Sequence, residues 1–340
     1  MRRFTVLLTL ALLPFAACGR GPAAPMAKKQ NVVVYVSEDQ VFSQPVLERF
    51  ERETGIRVRA VYDTEEAKST GVMNRLLAEK DNPQADLYWA NEPIRAEILK
   101  QRGVAEAYLS PAAEGIPPLF RDPEGYWTGF SARLRVFVVN TSVESPPHSV
   151  LDLADPAWRA EVVLANPLFG TTTSHVAALY VALGDDAGRL FLDRLEANEI
   201  RLTTSNGESA DQVAAGQAAL SLVDSDDAVN RMRRGDPVRM IIPDQSVDGL
   251  GCFVVPNAVV LIHGGPHPKA ARRLADFLLS PDTEQQLAEA DCAQIPLHPG
   301  VPVPEDVPHL ESLDLMDVSF AAVAQKMVEI QPELKEWVGY

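Results

Sequence analysis

Four short apolar runs in this chain each end in a cluster of carboxylates, amides or hydroxyls. The run from Asn31 leads into Ser37-Glu38-Asp39-Gln40, and the run Ile56 to Tyr62 into Asp63-Thr64-Glu65-Glu66. Ala85 to Ala90 leads into Asn91-Glu92, and Ala218 to Val223 into Asp224-Ser225-Asp226-Asp227. Any one cluster is an ordinary turn or helix cap. Four together, beside Tyr88 and Trp89, point to a site, because neighbouring carboxylates repel and demand a cation, a proton or a water-filled cleft. Two positive counterparts exist. Arg133 and Arg135 lie two apart on a strand and share one face, whether that face lines a site or a solvated edge. Gly170-Thr171-Thr172-Thr173 opens a helix, where free N–H groups and hydroxyls suit an anion as well as they suit a plain cap. Ser205-Asn206-Gly207 is a weaker version of the same signal.

Other chemistry finds no support. The six histidines, at 148, 175, 263, 267, 298 and 309, are isolated, and the three cysteines have neither CxxC nor zinc spacing. No GxSxG, HExxH, Walker or dinucleotide motif occurs. A hydrolase using Asp226 and Asp227 as an acid–base pair would lack an oriented nucleophile. The 340 residues carry a formal net charge of −16. That excess argues against nucleic-acid binding, which needs Lys and Arg to displace counterions, and against docking of the protein body on anionic membranes. At 46% hydrophobic and 23% charged residues the composition is globular, and the length suits two domains.

The elements that position these residues alternate. Strands are expected at 31–37, 56–62 and 85–90, with helices at 44–54, 65–79 and 93–102 between and after them. A strand over Ala132–Asn140 follows a Pro/Gly-rich stretch. A second alternation has strands at 161–165, 200–204, 218–223, 238–242 and 252–262. Its helices fall at 172–183, 187–197, 209–215, 227–234, 268–279, 281–290 and 317–330. Alternation of this kind gives parallel strands with crossover helices, an α/β class. Two such halves, joined near 110–131 and 243–251, can enclose a ligand at the carboxyl ends of their strands and close about a hinge near 130 and 245.

The first residues read as an address. Arg2 and Arg3 precede an apolar run, Phe4 to Phe15, too short to span a bilayer as a permanent helix. The following Ala16-Ala17-Cys18 resembles a bacterial lipoprotein signal, in which Cys18 becomes the lipid-bearing first residue; Phe15 stands where that signal usually has Leu. Residues 19–30 read as a tether. Such a location allows a disulfide between Cys252 and Cys292, and the reading leans to that bond over two buried free thiols.

Four collinear blocks carry a family resemblance: VVVYVSEDQVFSQPVLERFERETGIRV, YDTEEAKSTGVMNRLLAEKDNPQADLYWANE, YWTGFSARLRVFVVNT and VPNAVVLIHGGPHPKAARRLADFLLSP. Over about residues 31–305 the chain resembles the extracellular solute-binding proteins of ABC importers, nearest to those labelled ferric-iron binding. The resemblance implies a two-lobe periplasmic binding protein of type 2. Its lobes would be 31–130 with 246–305 and 131–245 with 306–340. It would act as a monomer with a membrane permease as partner and no catalytic cofactor. It also implies ligand contacts from Glu38 and Asp39, from Asn91 or Glu92, and an anion site at Thr171, Thr172, Thr173 and Arg133. Where ferric binders have two tyrosines this chain has Asp226 and Asp227. Carboxylates are hard oxygen donors too. One expectation is therefore Fe(III) or a similar hard cation on Asp39, Glu92, Asp226 and Asp227, with carbonate or phosphate beside it. The alternative is an organic cation or aminophosphonate, with carboxylates on the ammonium and Trp89 or Tyr88 packed on its alkyl chain; Thr64 and Glu65 are further candidate ligand contacts.

Overall fold

The computed structural model describes residues 30–63 and 69–339. Its strands are β1 (Asn31–Val36), β2 (Arg57–Tyr62), β3 (Leu87–Ala90), β4 (Ala105–Glu106), β5 (Thr128–Asn140), β6 (Val162–Ala165), β7 (Arg201–Thr203), β8 (Leu220–Asp224), β9 (Val238–Ile241) and β10 (Val254–Ile262). The helices are α1 (Gln40–Thr54), α2 (Thr70–Ala78), α3 (Pro93–Gln101), α4 (Gly170–Leu183), α5 (Asp185–Ala197), α6 (Asn206–Ala214), α7 (Ser225–Arg233), α8 (Pro268–Leu278), α9 (Pro281–Glu289), α10 (Phe320–Glu329) and α11 (Gln331–Val338).

The strands run in the order β2-β1-β3-β10-β5-β8-β6-β7, with β4 on β10 and β9 on β5. Parallel pairing of β1 with β2 and β3, and of β6 with β7 and β8, marks two α/β halves. They meet through antiparallel β10 and β5. The β1 sequence NVVVYV is apolar without alternation, as suits a strand inside the sheet with α8 packed against it. α1 turns Val46, Leu47 and Phe50 inward and stops at Gly55, whose φ of 69° is the left-handed turn that a side chain would strain.

β5 is the connection between the halves. Its first part pairs with β10, up to Leu134 opposite Val254, and its second part pairs with β8, from Arg135 opposite Asp224. All thirteen of its residues are buried. Of the expected crossing at 110–131, the last four residues belong to β5, and the Pro-rich stretch before them forms two short 3-10 turns, Pro111–Ala113 and Pro118–Phe120. The single helix expected over 317–330 is α10 followed by α11, with Pro332 in the first turn of the latter. α10 packs against both α3 and α4, and its Phe320 ring meets Trp127 edge-on at 5.9 Å.

The expected disulfide is absent. Cys252 and Cys292 are buried free thiols. Each points its sulfur at a carbonyl: Cys252 at Arg135 O, 3.3 Å away, and Cys292 at Leu287 O, 3.2 Å away. Burial pushes the Cys252 thiol up to about 12 and raises that of Cys292 as well.

Candidate functional site

A cavity of about 530 Å³ lies at the carboxyl ends of the strands, between the two halves. The first turns of α1, α4, α6 and α7 reach its wall, through Asp39 and Phe42, Gly170 to Thr172, Asn206 to Glu208, and Asp226 with Asp227. Each follows a strand directly or after a short loop, so the alternation of the chain aims four helix N-termini at one space. The positive ends of their dipoles favour negative charge there.

The four ends are not equivalent. Ser205 caps α6 by accepting from the Glu208 amide, and α7 carries Asp226 and Asp227 in its first turn. α1 and α4 have neither device; at α4, Phe169 precedes the helix, no side chain among the described residues caps it, and no acidic residue stands in its first turn. Thr171 and Thr172 at this end are both 2% exposed. A buried helix end without acceptors is unusual and is normally satisfied by a ligand or water. Gly170, with φ 60°, makes the turn into the helix.

The two arginines divide the site between them. Arg135 donates to Asp224 Oδ1 at 2.8 Å, to Thr171 Oγ1 at 3.1 Å, to Thr172 Oγ1 at 3.3 Å and to Leu222 O at 3.0 Å. Asp224 also accepts from Thr171 at 2.9 Å and from Asn206 at 3.3 Å. Burial works to raise its carboxyl, but Arg135 and Arg133 hold it below the ordinary value. Arg133 reaches the cavity itself. Its Nη1 lies 3.8 Å from Glu38, 3.7 Å from Asp224 and 3.8 Å from Asp226, and Nη2 donates to Asn91 O. Neither arginine sits on a solvated edge: the residues are 4% and 0% exposed.

Asp224, Asp226 and Asp227 present carboxylate oxygens within 4.8 Å of one another. Burial raises the Asp226 carboxyl well above its ordinary range. Arg133 opposes the rise, and Asp227, Asp224 and Glu38 add to it. Arg231, four residues after Asp227, braces this corner by donating to Asp211 at 3.0 Å and to Gly207 O at 2.8 Å, with Asp227 at 3.5 Å.

Of the residues expected from sequence, Asp39, Asn91, Arg133, Thr171, Thr172, Asp226 and Asp227 line the cavity. Glu38 is buried beside Arg133. Thr64, Glu65 and Cys18 lie outside the described residues. Three expectations need correction. Trp89 is fully buried, packed on Phe130 at 5.4 Å with Nε1 donating to Asn257 Oδ1 at 3.1 Å, because β3 is covered on both faces. Glu92 is the N-cap of α3. It accepts from Ile94 N at 2.6 Å and Arg95 N at 3.0 Å, pairs with Arg95 at 3.1 Å and takes a bond from Ser174 at 3.2 Å. With its oxygens so committed it is no ligand. Of the expected anion site, Thr173 is buried and does not line the cavity, while Thr171 and Thr172 line it with Arg133 and bond to Arg135. Asp224 and Asn206 entered only through the 224–227 cluster and the weaker 205–207 signal, without a role of their own, and Arg231 went unassigned. Arg231 had one signal, its i,i+4 spacing from Asp227.

The profile of a family described as bacterial extracellular solute-binding protein matches residues 92–317. The chain is 26% identical over 318 residues to iron uptake protein A1 of Synechocystis sp., covering 89% of this chain and 86% of that protein. It is 27% identical over 312 residues to a putative 2-aminoethylphosphonate-binding periplasmic protein of Salmonella paratyphi A, covering 88% and 85%. Among solved structures, iron-bound HitA from Pseudomonas aeruginosa matches with a TM-score of 0.80 at 19% identity, over 90% of this chain and 99% of that one.

Proposed function

Because the chain belongs to the bacterial extracellular solute-binding protein family, we propose that it captures a small solute outside the cytoplasm and passes it, chemically unchanged, to the permease of an ABC importer. In this reading it works as a monomer, anchored only by lipid on Cys18 and spaced from the membrane by residues 19–30. Residues 31–130 with 246–305 form one lobe and 131–245 with 306–340 the other, and they close about β5. No described helix is long and apolar enough to cross a membrane.

The solute is a zwitterion of the aminophosphonate kind. The observation that carries this is the buried, uncapped N-terminus of α4 opening on the same cavity as Asp226 and Asp227. A phosphonate oxygen supplies the acceptor that α4 lacks. An ammonium group supplies the cation that the carboxylate cluster calls for. The resemblance to a putative 2-aminoethylphosphonate binder agrees with this pairing. The test is titration calorimetry with 2-aminoethylphosphonate, ethylphosphonate and ethylamine. Micromolar or tighter affinity for the first, with at least a tenfold loss for each half-molecule, is expected. Equal affinity for ethylphosphonate would remove the ammonium subsite.

Two observations favour a second reading, Fe(III) with a bound anion: the proximity of Asp224, Asp226 and Asp227, and the likeness to iron uptake protein A1. Against it, Asp224 is engaged by Arg135, Thr171 and Asn206, and no tyrosine is among the described residues lining the cavity. Elemental analysis of protein purified from its own cell envelope separates the two. Stoichiometric iron would favour the metal reading, and an organic adduct without metal the zwitterion.

A further inference from the structure

Along β5 the pairing with β10 runs Val255 opposite Arg133 and Pro256 opposite Ala132, then jumps to Asn257 opposite Phe130. Ser131 has no opposite number: it is a one-residue bulge, with φ 42° in the left-handed region that a non-glycine residue rarely adopts. Side chains alternate along a strand, so one inserted residue reverses the face of everything beyond it. Without the bulge, Val255 would face Ala132, and the arginine that follows would turn to the opposite face of the sheet. The bulge thus puts Arg133 on the cavity side.

A strained residue persists only where its surroundings over-determine it. Ser131 is held at both ends of its backbone by buried side chains. Glu284 on α9, 0% exposed, accepts from Ser131 N at 2.8 Å, and the same carboxylate takes Leu297 N and His298 N, both at 2.9 Å. Asn257, also 0% exposed, donates to Ser131 O at 2.7 Å and to Gln294 at 2.8 Å. The Ser131 hydroxyl has no partner among the described residues, so the peptide, not the side chain, is what these groups grip.

We infer that Glu284 and Asn257 are positioning residues for solute binding: they fix the Ser131 bulge, and the bulge aims Arg133 into the cavity. This rests on Arg133 taking part in solute capture as proposed above. Neither residue lines the cavity, so their effect passes through β5.

The test uses arginine Nε–H resonances in the empty full-length protein. The Nε atoms of Arg133 and Arg135 are both buried without hydrogen-bond partners among the described residues, which protects both protons from exchange with solvent. Arg135 is clamped separately by Asp224, Thr171 and Thr172 and serves as the internal control. In Glu284→Gln the Arg133 resonance is expected to shift and broaden while that of Arg135 stays in place. Affinity for 2-aminoethylphosphonate should fall about tenfold. Ser131→Gly, which suits φ 42°, should leave both resonances unchanged. If Glu284→Gln does not fold, Asn257→Leu frees the carbonyl end of Ser131, together with its own bonds to Trp89 and Gln294, and is read in the same way. Movement of both resonances would make the role general to the fold, and movement of neither would end the idea; either overturns it. The resonances need no solute, so failure of the wild type to bind 2-aminoethylphosphonate would strike the solute assignment and leave this one decided by the spectra.

Discussion

Arg135 and Asp224 stand opposite each other in the β5–β8 ladder and close an ion pair of 2.8 Å with almost no solvent contact. The pair joins the strand that links the halves to the strand that delivers the acidic cluster. Breaking a buried pair from one side leaves a charge without compensation and costs about 3–5 kcal/mol. Asp224→Ala is therefore expected to lower unfolding stability by that order, read from urea denaturation. A loss below about 1 kcal/mol would mean that water reaches Arg135 freely.

Asp226 sets stability against binding. Its folded carboxyl lies well above the ordinary 3.8, through burial first, opposed by Arg133 and reinforced by Asp227, Asp224 and Glu38. A carboxyl raised on folding binds its proton more tightly in the native state, so its contribution falls as pH climbs from about the unfolded value through the folded one. Asp226→Asn should stabilise the empty protein at neutral pH and flatten that decline. It should also weaken capture of a cationic solute by at least tenfold. Paired thermal melts and titrations check both, and a destabilised variant with intact affinity would contradict them.

His298 gives the opposite pH signature to a salt-bridged carboxylate. Burial lowers its pKa, but the Glu284 carboxylate 2.7 Å away and the Ala112 carbonyl outweigh that, and the net shift is upward from 6.5. The stabilisation is complete below about pH 6.5 and is lost as pH rises through the folded value. His298→Gln should remove this loss from a stability profile taken between pH 6 and 9. An unchanged profile would assign the dependence to another group.

Cys252 and Cys292 should resist alkylation in the native protein, since burial disfavours both thiolates. In denaturant without reductant, both should label, as peptide mass spectrometry would show. Absence of label there would mean that the two are bonded after all.

The α/β alternation was legible because each element carries its own signal. β1 has an unbroken apolar run, and α1 has inward Val46, Leu47 and Phe50 with a glycine stop. The acidic cluster and the α4 N-terminus were legible for the same reason, being local. What failed was long-range. Nothing around Trp89 tells that β3 is buried throughout, and the helix expected from 93 places Glu92 at its N-cap without telling that Arg95 and Ser174 take up its oxygens. The spacing of Arg133 and Arg135 correctly gave them one face. Which face that is depends on a bulge between the Phe130–Asn257 and Ala132–Pro256 pairs, and so on a strand far along the chain. α11 was missed because Pro332 reads as a terminator, although proline is welcome in a first turn.

β5 belongs to both halves at once: one stretch of thirteen residues is strand to β10, then strand to β8, and carries both arginines. The halves are thus not interchangeable modules. A chimera that takes each half from a different parent must still inherit β5 from one of them, along with that parent's arginine positions. Recombination among such chains would transmit the connection and the recognition chemistry as a single heritable block.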